Sequence, residues 1–300
     1  MKLRGAFACL ALCAALAGDL PAADFTFGAL GDTPYTWFEE AHFPGLLEGM
    51  SREDLAFVVH VGDFKAARAP CSDDVFRQRR QWFDLVRHPF IFVPGDNEWA
   101  DCHRFQAGGY DPLERLAKLR QLFFAGEESL GRRRIRLARQ SPDYPEHARW
   151  RHGDVLFVTL NVPGNANNAR HMPEEFRSRS ATVARWLEES FGLARGDRLR
   201  AVVLFMQANP WAWPTGRYFG YRELLTALAR AALAFDGEVL LVHGDTHRFR
   251  VDSPLREPAT GATVSNFTRV EVFGSPGMNW VRIRVLGNAG RIGFEVTPGS

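Results

Sequence analysis

Three hundred residues and 33.8 kDa, 46% hydrophobic and 24% charged, make an ordinary globular composition with enough chain for a sizeable core. That excludes a disordered chain, a collagen-like repeat and a small disulfide-stapled scaffold. With 37 basic against 35 acidic residues, a pI near 8.4 and no long block of like charge, nothing calls for a nucleic-acid partner.

Lys2 and Arg4 precede an apolar run from Ala6 to Ala17, too short to span a bilayer but the length of a secretory h-region. Ala15-Leu16-Ala17 offers an A-x-A cleavage site and a second cut fits after Ala23. Residues 1–23 are therefore expected to be a signal peptide and 24–300 a single domain, exported to the periplasm or secreted, with no stable membrane anchor after cleavage. Cys9 and Cys13 leave with the leader, and Cys71 and Cys102 remain. In an oxidising compartment these two either pair or stay as free thiols.

Short β-branched and aromatic runs then alternate with amphipathic stretches, which predicts an α/β fold with helices layered on sheet. Strands are expected at Phe25–Leu30, Leu55–Val61, Phe90–Val93, Val155–Leu160, Ala201–Met206 and Val239–Val242. Helices are expected at Phe38–Met50, Asp73–Arg87, Pro112–Phe124, Glu174–Leu193 and Tyr221–Phe235. The third has Asp111 as cap and Pro112 at its first position. The stretch from Gly126 to Gly153 has no clear period and carries Arg132, Arg133, Arg134, Arg136 and Arg139; it reads as a long loop, either a lid over a site or a solvated surface. Alternation at Thr268–Phe273, Trp280–Leu286 and Ile292–Val296 predicts an antiparallel meander at the C-terminus.

Four expected strands end in Gly-Asp: Gly31-Asp32, Gly62-Asp63, Gly95-Asp96 and Gly244-Asp245, while Ala201–Met206 ends in Gln207. The carboxyl ends of strands in an open α/β sheet face one crevice, and a glycine there lets the backbone turn so that the next side chain faces a ligand. Carboxylates gathered this way repel by about 4 kcal/mol per pair at 4 Å and an effective dielectric near 20, so cations are the economical way to neutralise them. His247, two residues after Asp245, adds a nitrogen donor from the same turn.

These blocks in order, GD at Asp32, GD at Asp63, PGDNE at Pro94–Glu98, MQAN at Met206–Asn209 and HGDTH at His243–His247, resemble the calcineurin-like metallophosphoesterases. Their usual blocks are D-x-H, GD, GNH followed by an acid, a strand-end His, and GHxH. The resemblance spans Phe25 to Arg250 and implies a four-layer α/β/β/α sandwich, metallo-dependent phosphatase-like, that holds two divalent metal ions. It implies a phosphoesterase acting on a small phosphate ester through metal-activated water. Asp32 and His247 would bind the first metal and Asp63 would bridge both. Asp96 would replace the usual asparagine, Asp245 the usual histidine and Gln207 the strand-end histidine of the second. Pro34 stands where D-x-H has its histidine. The resulting oxygen-rich site favours Mn²⁺ or Mg²⁺ in a catalytic centre and Ca²⁺ in a structural one.

Asn97 occupies the position of the family histidine that serves the leaving group, and His103 is the nearest replacement along the chain. Tyr35, in GDTPY, is expected to pack or to bond through its hydroxyl. Asn161 and Asn167, in NVPGNANN, are candidates to orient substrate phosphate. Trp211 and Trp213, in NPWAWP, form either a stacking surface or a plug. His60 and His243, each on a strand before an aspartate, are either ligands or core histidines donating to a carbonyl. The alternative to an enzyme is a non-catalytic member of the same fold that holds a structural cation or binds a ligand.

Overall fold

The structure is a computed structural model that describes residues 24–212, 218–288 and 290–299. The expected signal peptide and Trp213 lie outside these residues. β1 (Phe25–Leu30), β2 (Val58–His60) and β3 (Phe90–Phe92) run parallel. The antiparallel hairpin of β11 (Val281–Asn288) and β12 (Arg291–Pro298) joins them through β1, giving the order β12-β11-β1-β2-β3.

The second sheet contains β4 (Ala138–Ser141), β5 (Tyr144–His152), β6 (Val155–Thr159), β7 (Ala201–Phe205), β8 (Glu238–His243), β9 (Arg250–Asp252) and β10 (Phe267–Glu271). Its order is β4-β5-β6-β7-β8-β10-β9, with β6, β7, β8 and β10 parallel.

Both faces of each sheet are covered, so the central strands are apolar throughout and alternate partners along their length. In β7, Val203 and Phe205 face the other sheet and meet Phe27, Val59 and Ile91, while Val202 and Leu204 face outward. Helices Pro173–Gly196 and Arg222–Leu233 cover that outer face through Val183, Leu187, Phe191 and Leu228. On the other side, α1 (Trp37–Arg52), α2 (Asp73–Leu85) and α3 (Pro112–Phe123) seat Phe43, Phe76, Phe83 and Leu119 on Leu30, Val58 and Phe92. The result is the expected α/β/β/α order. Caps set where the helices begin: a Thr36/Glu39 capping box for α1, Ser72 for α2, and Asp111 with Pro112 for α3.

Two expectations are corrected. The stretch from Gly126 to Gly153 is not one long loop: β4 and β5 form a hairpin that extends the second sheet. Its inward positions include Glu146, fully buried and paired with Arg120, beside Ala148 and Trp150; a charged inward residue hides the period of two. Arg134 and Arg136 pair with Glu128 and Glu127 at the surface. The C-terminal strands also do not form one meander. β10 pairs in parallel with β8, and the chain then crosses to the other sheet for β11 and β12.

Cys71 and Cys102 are joined in a disulfide. It ties the segment before α2 to the short 3₁₀ turn Ala100–His103 that follows Asp96. Among the described residues no helix is long and apolar enough to cross a membrane.

Candidate metal centre

Asp32, Asp63, Asp96 and Asp245 follow the C-terminal ends of β1, β2, β3 and β8, and the two facing sheets bring them to one crevice. Asp32, Asp63, Asp245 and His247 adopt left-handed backbone, with φ of 53°, 57°, 83° and 59°. Such conformations are uncommon outside glycine and concentrate at functional sites. The aspartates themselves thus make most of the sharp turn that was expected of the glycines. What the glycines supply is close approach. A Cβ at Gly95 would lie 2.0 Å from Asp63 Oδ1, and one at Gly244 would lie 1.9 Å from Asp32 Oδ2.

Asp63 is the most connected of the four. Asn97 donates its backbone N–H to Oδ1 at 3.0 Å, and the Gln207 amide and the Tyr35 hydroxyl donate to Oδ2 at 3.1 and 3.2 Å. Tyr35 therefore bonds through its hydroxyl, which also accepts from Asn97 Nδ2 at 3.0 Å. Glu98, unassigned in the sequence, accepts from the N–H groups of Asp63 and Gly95 and so holds these two turns together.

Both oxygens of Asp32 accept from the Asp245 N–H. His247 donates Nδ1–H to Ser275 O at 2.7 Å, which leaves Nε2 facing Asp32 Oδ1 at 3.6 Å. Gln207 Oε1 accepts from Gly164 N–H at 2.6 Å. Gly164 leaves room for two more carboxylates: a Cβ there would lie 2.8 Å from Asp96 Oδ1 and 3.1 Å from Asp245 Oδ1. Asn209, donating to Asp245 Oδ2, and Glu271, accepting from Arg248 N–H, brace the HGDTH turn from below.

Gathering these acids is electrostatically costly. Burial first, then Asp245, raises the Asp32 carboxyl well above the usual range; burial and Asp96 do the same to Asp63, and burial and Asp101 to Asp96. Burial pushes Glu98 up to about 7 and Asp245 up to about 6. One cation is built in. Lys65 is fully buried among Glu98, Asp63, Asp101 and Asp96, and burial pushes its ammonium down to about 8. No pattern in the sequence points to Lys65, because a lysine two residues past Asp63, in the loop after β2, is ordinarily on the surface.

A single ammonium leaves an excess of carboxylates, and the donor set, oxygens with one imidazole, suits a hard divalent cation. Among the described residues, though, no three His, Cys, Asp or Glu side chains converge closely enough to hold a metal ion as they stand. The oxygens of Asp32 and Asp63 and the amide of Gln207 are spent on hydrogen bonds within the crevice. Ion binding would require these bonds to be exchanged for ligation.

The remaining expected residues fall outside the carboxylate cluster. His103 lies on the rim with Nδ1 bonded to Ala100 O, its ring 5.5 Å from that of His171. Asn161 and Asn167 are buried, and their amide nitrogens donate to Glu146 and to Gly220 O. They brace the loop above the site and have no exposed amide to offer a substrate. Trp211 is half-buried against Arg269, His243 and Phe267, as a plug. His60 and His243 are core histidines: His60 donates to Thr33 O and His243 to Gly244 O, and burial pushes them to about 4 and about 3.

No protein-family model matches the chain, and no curated protein matches it in sequence. Solved structures do match. A dimetal phosphatase from Danio rerio aligns with a TM-score of 0.50 and 13% identity over 93% of this chain and 96% of that one. PhoD aligns at 0.55 and 12% identity, over 94% of this chain and 69% of its own. Purple acid phosphatase PPD1 from yellow lupin (Lupinus luteus) seeds aligns at 0.56 and 11%, over 92% of this chain and 52% of its own. The chain has the calcineurin-like metallophosphoesterase fold.

Proposed function

We propose that the chain is a divalent-metal-dependent phosphoesterase that hydrolyses a small phosphate ester. The observation that carries this reading is the convergence of Asp32, Asp63, Asp96 and Asp245 from both sheets into one crevice whose charge Lys65 alone does not balance. Asp32 and His247 would hold one ion, Asp96, Gln207 and Asp245 a second, and Asp63 would serve both, with Mn²⁺ or Mg²⁺ favoured. When bound, such ions polarise the phosphoryl group and activate water. The chain's own contribution is orientation: Glu98 fixes the Asp63 and Gly95 backbones, Tyr35 and Asn97 set the rotation of the Asp63 carboxylate, and Ser275 sets the tautomer of His247. The disulfide and the apolar leader support export to an oxidising compartment.

The test is metal per chain after Mn²⁺ loading and desalting, together with turnover of an aryl phosphate, for the parent and for Asp63→Asn. About two ions and turnover in the parent, both reduced in the variant, are expected. A second reading is favoured by Lys65 and by the internal hydrogen bonds of Asp32 and Asp63: a non-catalytic protein of this fold, whose crevice is neutralised by the ammonium and by protons. Under that reading the parent takes up no metal and turns over no ester.

A further inference from the structure

An ester with a poor leaving group needs a proton as its bond breaks. Asn97 has none to give, and its Nδ2 is already committed to the Tyr35 hydroxyl and to Lys65 O, both at 3.0 Å. A cleft of about 190 Å³ opens beside Asp245, and its wall includes Asn165, Arg170, His171 and Tyr221. Arg170 and His171 are both exposed, and the Arg170 guanidinium rests on Phe219 at 5.2 Å.

The chain that leads into this wall is strained. Asn165, Ala166, Asn167 and Asn168 have φ of 50°, 55°, 57° and 59°, a run of left-handed residues that L-amino acids adopt only at an energetic cost. The surroundings fix it from several sides. The Tyr221 hydroxyl donates to Pro163 O and accepts from Asn167 N–H, Arg179 donates to the carbonyls of Asn161 and Asn167, and a Cβ at Gly220 would lie 2.0 Å from Ala166 O. Strain held this firmly marks a segment whose placement matters. The turn emerges at Arg170 and His171, beside the carboxylate crevice.

Resting on the phosphoesterase reading, we propose that His171 donates the proton to the leaving group, with Arg170 beside it binding the phosphoryl oxygens. Water oxygen bonds to phosphorus as the ester P–O bond breaks. The leaving oxygen takes that electron pair and the proton of the charged His171 ring, and the proton lost by the water restores the ring. His103, whose ring lies 5.5 Å away, is a neighbour of the donor and does not itself line the cleft.

The experiment compares an alkyl phosphate with p-nitrophenyl phosphate in the Mg²⁺-loaded parent, His171→Gln and His103→Gln. His171→Gln is expected to lose about 100-fold or more in kcat on the alkyl ester and about 3-fold or less on the aryl ester, with His103→Gln near the parent on both. In parallel, inorganic phosphate is titrated into the parent, and the His171 ring resonance is expected to shift. Equal slowing of both esters, the selective loss appearing in His103→Gln, or a His171 resonance unmoved by phosphate overturns the role of His171 alone. Absence of turnover on both esters in the parent overturns the phosphoesterase reading and this role together.

Discussion

The backbone N–H of Asp245 is shared between the two carboxylate oxygens of Asp32, at 3.0 Å to each. This contact joins residues 213 apart in sequence and one sheet to the other at the mouth of the crevice. It forms because Gly244 carries no side chain, a Cβ there falling 1.9 Å from Asp32 Oδ2. Gly244→Ala and Gly95→Ala are expected to lower unfolding free energy by about 1–3 kcal/mol, the usual cost of overpacking. Gly192→Ala is the control: it lies inside the Pro173–Gly196 helix with nothing within 4 Å of its Cβ position, and should stabilise by about 0.5–1 kcal/mol. Urea unfolding of the three variants checks the ordering.

Asp96→Ala removes a buried carboxyl group whose ionised form Asp101 and Asp245 oppose, and leaves no ligating atom at that position. In EDTA the variant should be more stable than the parent, by about 0.5–2 kcal/mol, the usual size of a single stabilising substitution. With Mn²⁺ present the order should reverse, because the parent gains the binding free energy of the ion and the variant loses much of it. Melting temperatures of both proteins in EDTA and in Mn²⁺ decide; a parent whose Tm ignores Mn²⁺ contradicts the expectation.

The Cys71–Cys102 bond closes a loop between residues 31 apart, for which chain entropy gives about 3–4 kcal/mol. Cys71→Ser with Cys102→Ser should lose stability on that scale. Because the bond anchors the turn after Asp96, the double variant should also take up less metal. Mass spectrometry of the unreduced protein, showing no free thiol, checks the pairing itself.

The parallel strands and the helices between them were legible because burial on both faces makes β7 and β8 continuously apolar, while caps such as Asp111-Pro112 mark helix starts. The strand-end aspartates were legible for the same reason, since each ends such a run. The β4–β5 hairpin was not, because Glu146 occupies a core position and only Arg120, far along the chain, makes it tolerable there. Lys65 and His171 were illegible on similar grounds. Neither belongs to a periodic pattern, and their placement depends on packing between segments distant in sequence.

His147 gives a test on pH that stays clear of the crevice. It is fully buried, with Nδ1 on Gln140 Oε1 at 2.6 Å and its ring stacked on Tyr144. Burial pushes it down to about 4 from 6.5. In the unfolded chain the same ring takes up its proton near 6.5, so between these values the unfolded state binds more protons and stability falls as pH falls. From pH 7 to pH 5 this one group should withdraw about 2 kcal/mol. Carboxylates raised by burial act in the opposite direction, so the parent's own pH profile mixes the two effects. His147→Asn isolates one, keeping an N–H for Gln140 and removing the titration. The parent should lose about 2 kcal/mol more than this variant between pH 7 and pH 5 in urea unfolding with EDTA. Parallel profiles for the two proteins would show that His147 keeps an ordinary proton affinity in the folded chain.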